Sequence, residues 1–180
     1  MEVEVKIKIS LEEYEELKKK LSIICKEINE TEMSDTYFSH PCYDLAERDE
    51  AIRLRRTSTV SGKVISELTY KGKRMEAGYV KTRNEITVNV ENDSTILQLL
   101  RALGFKEAIV VRKKRTEFDC SSYIVSLDEV SGLGTFIEIE GKEGCGPDCV
   151  MRARDSLGIK GTIERKTYLE LLMEREAKRK

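Results

Sequence analysis

The sequence has no tryptophan, two prolines, one histidine and no run of eighteen apolar residues. The missing apolar run excludes a membrane-spanning helix. The opening stretch MEVEVKIKIS lacks the apolar segment of a signal peptide, so export is not expected. The lone histidine, His40, precedes Pro41 in a stretch that reads as a loop. A structural part suits it better than catalysis, which disfavours a histidine-based nucleophile mechanism. Phosphate binding by a glycine loop is excluded as well, because no GxxxxGKS/T occurs. Lys71-Gly-Lys73 is no P-loop, and Gly132-Leu-Gly134 is a turn rather than a dinucleotide fingerprint. An excess of one charge is also missing. Lys and Arg number 32 against 33 Asp and Glu, a formal net charge of −1. That balance argues against a chain built to coat nucleic acid. Five cysteines, Cys25, Cys42, Cys120, Cys145 and Cys149, are an odd count without an export signal. They read as reduced thiols in a cytoplasmic protein. Cys145 and Cys149 lack zinc spacing and partner ligands, and Lys18-Lys-Lys20 is a solvated helix face.

What is present suffices for one core. Of the 180 residues 39% are apolar and 36% charged, which suits a single domain rather than a disordered chain. No proline- or serine-rich linker, repeat or low-complexity segment divides it. Residues 1–9 alternate strictly, Val3, Val5, Ile7 and Ile9 against Glu2, Glu4, Lys6 and Lys8, which predicts a strand. Ser10 and Glu13 then form a capping box before a helix over 11–25, carried by Leu11, Tyr14, Leu17, Leu21 and Ile24. Strands follow at Asp35–Phe38, Ala51–Arg56, Ile65–Lys71 and Glu85–Val90, with Gly62 and the Gly72–Gly78 stretch supplying turns. A helix over Ser94–Leu103, capped by Asn92 or Asp93 and closed by Gly104, precedes strands at Ala108–Phe118, Tyr123–Val130 and Thr135–Glu140. Pro147 opens a third helix that Gly158 closes, and Thr167 with Glu170 caps a fourth over Tyr168–Arg175. About eight strands joined by short turns make an α+β domain over 1–175 on a mostly antiparallel sheet, with 176–180 a frayed basic tail.

The strands carry charged pairs at period two. Residues i and i+2 of a strand lie roughly 6.5–7 Å apart on one face. Glu2 and Glu4 form one acidic pair, Glu138 and Glu140 another. Such carboxylates can converge on a hard divalent cation, Mg²⁺ or Mn²⁺. Arg53 with Arg55, Lys71 with Lys73, and Lys113 with Arg115 are cationic pairs, though Arg112 and Lys114 leave the last register open by one residue. Arg83 and Glu85 share a face too. Singly, each pair is most simply the solvated side of an antiparallel sheet. Together they are nearly all charged and segregated by strand into acids and bases. A sheet curled so that these faces look inward makes a charge-lined barrel, which suits a polyanion with its metal.

In chain order these residues resemble the CYTH superfamily, the triphosphate tunnel metalloenzymes. Glu2-Val-Glu4-Val-Lys6 is similar to its ExExK signature. Glu50-Ala-Ile-Arg53-Leu-Arg55, Leu68-Thr-Tyr-Lys71-Gly, Arg83-Asn-Glu85, Lys113-Lys-Arg115 and the run from Leu127 to Glu140 continue the likeness. Tyr37-Phe-Ser-His-Pro41 and Gly132-Leu-Gly-Thr-Phe-Ile-Glu-Ile-Glu140 look most like the class IV adenylyl cyclase (CyaB-like) branch. Thr87 departs from the family pattern, in which many members carry an acid there.

The resemblance implies an eight-stranded antiparallel β-barrel or tunnel with helices packed outside. It implies metal ligation by Glu2, Glu4 and Glu138 or Glu140, with Asp128 a further candidate. It implies phosphate held by Arg53, Arg55, Arg83 and Arg115, with Lys6, Lys71 and Lys113 catalytic. The expected cofactor is Mg²⁺ or Mn²⁺, and the expected partner a triphosphate-bearing small molecule such as ATP. No membrane or nucleic-acid partner is expected, and a homodimer stays open. The activity is either class IV adenylyl cyclase chemistry, ATP to cyclic AMP and pyrophosphate, or hydrolysis of thiamine, inorganic or nucleoside triphosphate. A binder of polyphosphate or RNA ends, using Arg112–Arg115 and Arg175–Lys180, is the non-catalytic rival. Such a binder gains nothing from four carboxylates in its site.

Overall fold

The alternation at the start of the chain becomes β1 (Glu2–Ile9), the strand on which the sheet turns back to meet itself. The structure is a computed structural model that describes residues 2–77 and 80–179, the side chains at 2, 76, 77 and 80–82 excepted. After β1 come α1 (Leu11–Ile24), β2 (Lys26–Ser39), β3 (Ala51–Thr59), β4 (Val64–Ala77), β5 (Val80–Val90), α2 (Asp93–Ala102), β6 (Lys106–Asp119), β7 (Tyr123–Val130), β8 (Gly134–Gly141), α3 (Pro147–Leu157), β9 (Thr162–Ile163) and α4 (Tyr168–Ala177). The described strands form one antiparallel sheet in the order β5-β4-β3-β2-β6-β7-β8-β1-β9. The eight expected strands are all there, and β9 adds a two-residue ninth.

The seam is joined only in part. β5 meets β1 over three pairs, Glu2↔Arg83 to Glu4↔Lys81. Further along, β9 takes the same edge of β1 at Ile7 and Lys8. The sheet therefore curls into a tunnel without closing along its full length.

The apolar faces of the strands point outward. Val5, Ile7, Phe118, Val125, Leu127, Ile137 and Ile139 face α1 and α3, and pack with Tyr14, Leu17, Leu21, Val150 and Leu157. On another side Phe38 and Leu54 pack against Leu100 of α2. α4 differs from the expected outer position. Its Tyr168 joins Val111, Val130 and Phe136, with Leu171 and Leu172 packed beside them. Val111, Val130 and Phe136 share strand faces with Lys113, Asp128 and Glu138, so α4 sits against the tunnel lining, not behind it.

Helix ends follow sequence chemistry with one exception. Thr167 and Glu170 complete the capping box of α4, and Gly158 closes α3 at φ +71°. At α1, Ser10 accepts from the Glu13 backbone N–H (3.1 Å). The Glu13 carboxylate instead accepts from the Lys160 N–H (2.6 Å), so that box is only half made. Helix α4 runs two residues past its expected end.

Two further expectations are corrected. The cysteines are not all thiols, because Cys25–Cys120 and Cys145–Cys149 are disulfides and only Cys42 is free. The ladder explains the long-range bridge: Lys26 pairs with Asp119, which sets Cys25 beside Cys120 across 95 residues of sequence. The thiol argument for a reducing compartment falls with it. Gly72 lies inside β4, not in a turn, and Gly78 falls outside the described residues. Among the described residues no helix is long and apolar enough to cross a membrane.

Candidate active site

The inward faces of the strands line a cavity of about 180 Å³. Below its wall lies Asp128 on β7, with no exposed surface. Its carboxylate accepts from Lys113 Nζ (2.9 Å), from Arg115 Nε and Nη2 (2.6 Å each) and from the Tyr168 hydroxyl (2.9 Å). Burial opposes its charge, but Arg115 and Lys113 hold its carboxyl below the usual range. Burial and then Asp128 push the Tyr168 phenol well up, so it remains a hydrogen-bond donor. The ring of Tyr168 lies 4.4 Å from Lys6 Nζ and 5.2 Å from Lys113 Nζ. Burial first, and Arg115 second, push Lys113 down to about 8. These contacts settle the open register of β6: Lys113 and Arg115 face inward, while Arg112 and Lys114 are exposed.

On the neighbouring wall Asp35 of β2 grips Arg55 of β3 through two parallel bonds of 2.7 Å. Burial works against the Asp35 charge, yet Arg55, helped by Arg53, holds its carboxyl down to about 2. Arg53 Nη1 stands 4.0 Å from the same carboxylate. Its Nε is buried without a hydrogen-bond partner among the described residues. A buried guanidinium with donor capacity to spare, on a cavity wall, is prepared for an anion.

β4 and β5 supply the third wall. Lys71 is ion-paired with Glu85, directly across the ladder. Beyond them the register slips, so that Gly72 and Lys73 together oppose Asn84 and Arg74 comes opposite Arg83. This is a β-bulge, which re-aims the following side chains. It turns Arg74 into the cavity and leaves Lys73 exposed, so the expected Lys71–Lys73 pair is broken. A Cβ on Gly72 would stand 3.3 Å from the Asn84 carbonyl, a close approach that glycine permits. Arg74 donates to Asp49 (Nε, 2.7 Å) and to both oxygens of Glu170 (2.8 and 3.0 Å), tying β4 to α4. Arg83 donates to the Gly72 carbonyl (2.8 Å) and the Asp49 carbonyl (2.9 Å).

The acids meet on β1 and β8. The ladder sets Lys6 opposite Glu138 and Glu4 opposite Glu140. Glu138 is ion-paired with Arg115 and lies 3.8 Å from Lys6. Although burial opposes its charge, Arg115, Lys113 and Lys6 hold its carboxyl far below the usual range. Glu4 is different. It lines the cavity and has no hydrogen bond or ion pair among the described residues. Burial and then Glu138 push its carboxyl up, and loss of water together with Glu4 raises Glu140.

Two carboxylates opposed across a ladder repel one another unless a cation or proton stands between them. Carboxylate oxygens are the donor type that Mg²⁺ or Mn²⁺ takes, and Glu4, Glu138 and Glu140 bring them to this stretch of the β1–β8 ladder. Among the described residues no three histidine, cysteine or acidic side chains stand together closely enough to hold a metal ion between them. Mg²⁺ commonly takes only one or two carboxylates and fills its remaining positions with substrate oxygens and water.

Of the residues singled out from sequence, Glu4, Lys6, Arg53, Arg55, Lys71, Arg83, Lys113, Arg115 and Glu138 border the one cavity. Glu140 lies at its margin and is exposed; Asp128 lies beneath the wall, saturated by four hydrogen bonds. The side chain of Glu2 lies outside the described residues. Sequence reasoning missed Asp35, Arg74 and Tyr168. Asp35 had a readable signal, since it shares strand parity with Tyr37 and lies in a stretch already read as strand. His40 stays outside the cavity, where it stacks on Tyr43 (3.8 Å) and its Nδ1 accepts from the Cys42 N–H (3.1 Å).

Comparison with known proteins agrees with this geometry. The model of the CYTH domain family matches residues 1–169. A provisionally named adenylate cyclase of Methanocaldococcus jannaschii is 35% identical over 180 residues, covering 95% of this chain and 98% of the relative. A solved Pyrococcus horikoshii protein superposes with a TM-score of 0.85 at 35% identity, covering 97% of this chain and 99% of that one. A Hippeastrum protein, provisionally an adenylyl cyclase and described as having a dominant triphosphatase activity, superposes at 0.74 with 18% identity, over 97% and 96% of the two chains. At that identity the likeness speaks for the fold alone.

Proposed function

The chain belongs to the CYTH domain family, and from that premise we propose that it is a divalent-metal-dependent enzyme that acts on a triphosphate in its tunnel by adenylyl cyclase-type chemistry. The observation that carries this reading is the meeting, in one cavity, of inward cations from β1, β3, β4, β5 and β6 with the carboxylates Glu4 and Glu138. Arg53, Arg55, Arg83 and Arg115 bind phosphate oxygens through charge-assisted hydrogen bonds. Lys6, Lys71 and Lys113 stabilise the charge that grows on the leaving phosphate, in a site where fixed dipoles replace water. Asp128 and Tyr168 orient Lys113 and Arg115; in this reading Asp128 positions cations rather than ligating metal. Glu4, Glu138 and Glu140 are the residues that would hold Mg²⁺ or Mn²⁺, whose chemistry when bound is to polarise a phosphoryl oxygen and acidify the attacking group.

The named relative at 35% identity supports the cyclase, in which the ribose 3′-hydroxyl attacks the α-phosphorus and pyrophosphate leaves. Hydrolysis at the terminal phosphorus is the second reading. The lining favours it in one respect: most of its residues are charged, and a bare triphosphate needs only charge to be held. Chromatography of the products from ATP, thiamine triphosphate and inorganic triphosphate, with Mg²⁺ or Mn²⁺, decides. Cyclic AMP and pyrophosphate from ATP are the expected result. ADP and phosphate without cyclic AMP, at any metal or pH tried, overturn the cyclase in favour of the hydrolase. No turnover of any of the three overturns both.

A further inference from the structure

The cations of this tunnel already have partners. Arg55 is held by Asp35, Lys71 by Glu85, Lys113 by Asp128, and Arg115 by both Asp128 and Glu138. Asp35 and Asp128 are almost wholly buried and saturated, so they stay with their arginines whatever binds. Glu138 is placed otherwise. It lines the cavity, it shares the inward face with Glu4, and it contacts Arg115 and Lys6, two of the groups assigned to phosphate. One carboxylate thus neutralises the cations that a triphosphate needs, while belonging to the acids that a metal needs.

Resting on the function proposed above, we propose that Glu138 and Arg115 form an exchange pair that makes binding of the divalent cation and of the triphosphate conditional on each other. Each ligand alone leaves the charges less well matched than before. A triphosphate that reaches Arg115 with Glu138 in place meets a fixed carboxylate, and like charges at such range repel strongly in a site shielded from water. Glu138 turned toward a cation alone takes one acid from Arg115, which keeps Asp128 and, at 3.8 Å, Glu117, and a buried charge that loses part of its pairing is costly. With both present, Glu138 goes to the cation and Arg115 to a phosphate oxygen, and every charge is matched again. Coupling of this kind is reciprocal: whatever the metal adds to triphosphate affinity, the triphosphate adds to metal affinity. The pair therefore selects a metal-loaded triphosphate and rejects metal-free phosphates that the remaining cations would otherwise hold.

The inference makes an unusual demand, that removing an acid improves binding of an anion when no metal is present. Inorganic tripolyphosphate is titrated calorimetrically into the wild-type chain, Glu138→Gln, Glu138→Asp and Glu4→Gln, first in chelator without divalent cation and then with saturating Mg²⁺. Glu138→Gln should bind metal-free tripolyphosphate at least tenfold more tightly than wild type. Glu138→Asp keeps the charge but withdraws it from Arg115 by one methylene, and should also tighten binding. Glu4→Gln removes a carboxylate that has no ion pair among the described residues, and should change metal-free affinity by less than about threefold, the effect of general charge alone. Added Mg²⁺ should strengthen binding to wild type far more than to Glu138→Gln. If wild type binds with Mg²⁺ but neither Glu138 variant binds better without it, or Glu4→Gln gains as much, the exchange pair is wrong and the tunnel reading stands. If wild type binds tripolyphosphate under neither condition, the tunnel reading fails and the exchange pair with it. A thermal melt of each variant confirms that the chain titrated is folded.

Discussion

Asp35 shows how a single side chain sets the behaviour of the site. Its carboxyl titrates at about 2 against an ordinary 3.8, because two bonds from Arg55 outweigh burial. A depressed folded-state value stabilises the native state above the ordinary value, and that contribution disappears as pH falls through the folded one. The window therefore runs from about pH 4 down to about pH 2, and the stability lost across it is roughly 2 kcal/mol. Urea unfolding at intervals across that range should show a steeper fall for wild type than for Asp35→Asn; equal slopes would sink the assignment. Much of the rest of the site was readable in the sequence. Arg53, Arg55, Lys113 and Arg115 stand at period two, and a strand converts that spacing directly into a shared face. Asp35 was not singled out because its meaning comes from a neighbouring strand: β2 pairs Asp35 with Arg55 across twenty residues. Tyr168 was hidden for a different reason. Its helix was read correctly, but where that helix docks depends on the tunnel it fills.

At the scale of elements, the bulge in β4 matters most. Period two predicts that Lys73 follows Lys71 inward, and one extra residue instead delivers Arg74. Local sequence does not announce such a slip. Gly72 is its trace, but a glycine after Lys71 reads equally well as a turn. The other elements were legible where apolar residues alternated or caps were present, as in β1, β7, β8 and α4. They were legible only in part where strands run polar. The first half of β2, residues 26–32, is almost wholly charged or polar, and pairing along β6, joined by β3 from Thr31 onward, makes it a strand. Arg74 also fastens α4, through Glu170, to the loop that bears Asp49. Arg74→Ala should release the helix without melting the sheet. Hydrogen exchange is the measure: amides over 168–177 should exchange faster, while those of β7 and β8 keep their protection. Unchanged exchange in α4 would mean that Tyr168 and its apolar neighbours hold the helix unaided.

Over the whole molecule, most of the apolar core lies on the outer faces of the sheet, and the interior is given to charge except where Val111, Val130 and Phe136 meet α4. Stability must therefore come from the shell, and Cys25–Cys120 braces it by joining the end of α1 to the end of β6. A cross-link over 95 residues removes about 4–5 kcal/mol of unfolded-state entropy in the simple chain treatment, whereas one spanning four residues removes about 2 kcal/mol. Cys25→Ser should thus lower the denaturant midpoint clearly more than Cys145→Ser; the reverse order would show that the short bridge at α3 matters more. The topology also sets an order of events during synthesis. β1 precedes every other strand of the sheet along the chain, yet its partners are β8, β5 and β9, and its long ladder with β8 ends at Glu140. At ~5–20 residues per second a ribosome takes on the order of ten seconds to deliver β8. Until then Val3, Val5, Ile7 and Ile9 can meet only α1 of the cluster they later share with β7, β8 and α3, and the long ladder edge of β1 has no partner. The four charges interleaved with them, Glu2, Glu4, Lys6 and Lys8, are gatekeepers during that wait, keeping the growing chain from pairing with its neighbours on a polysome.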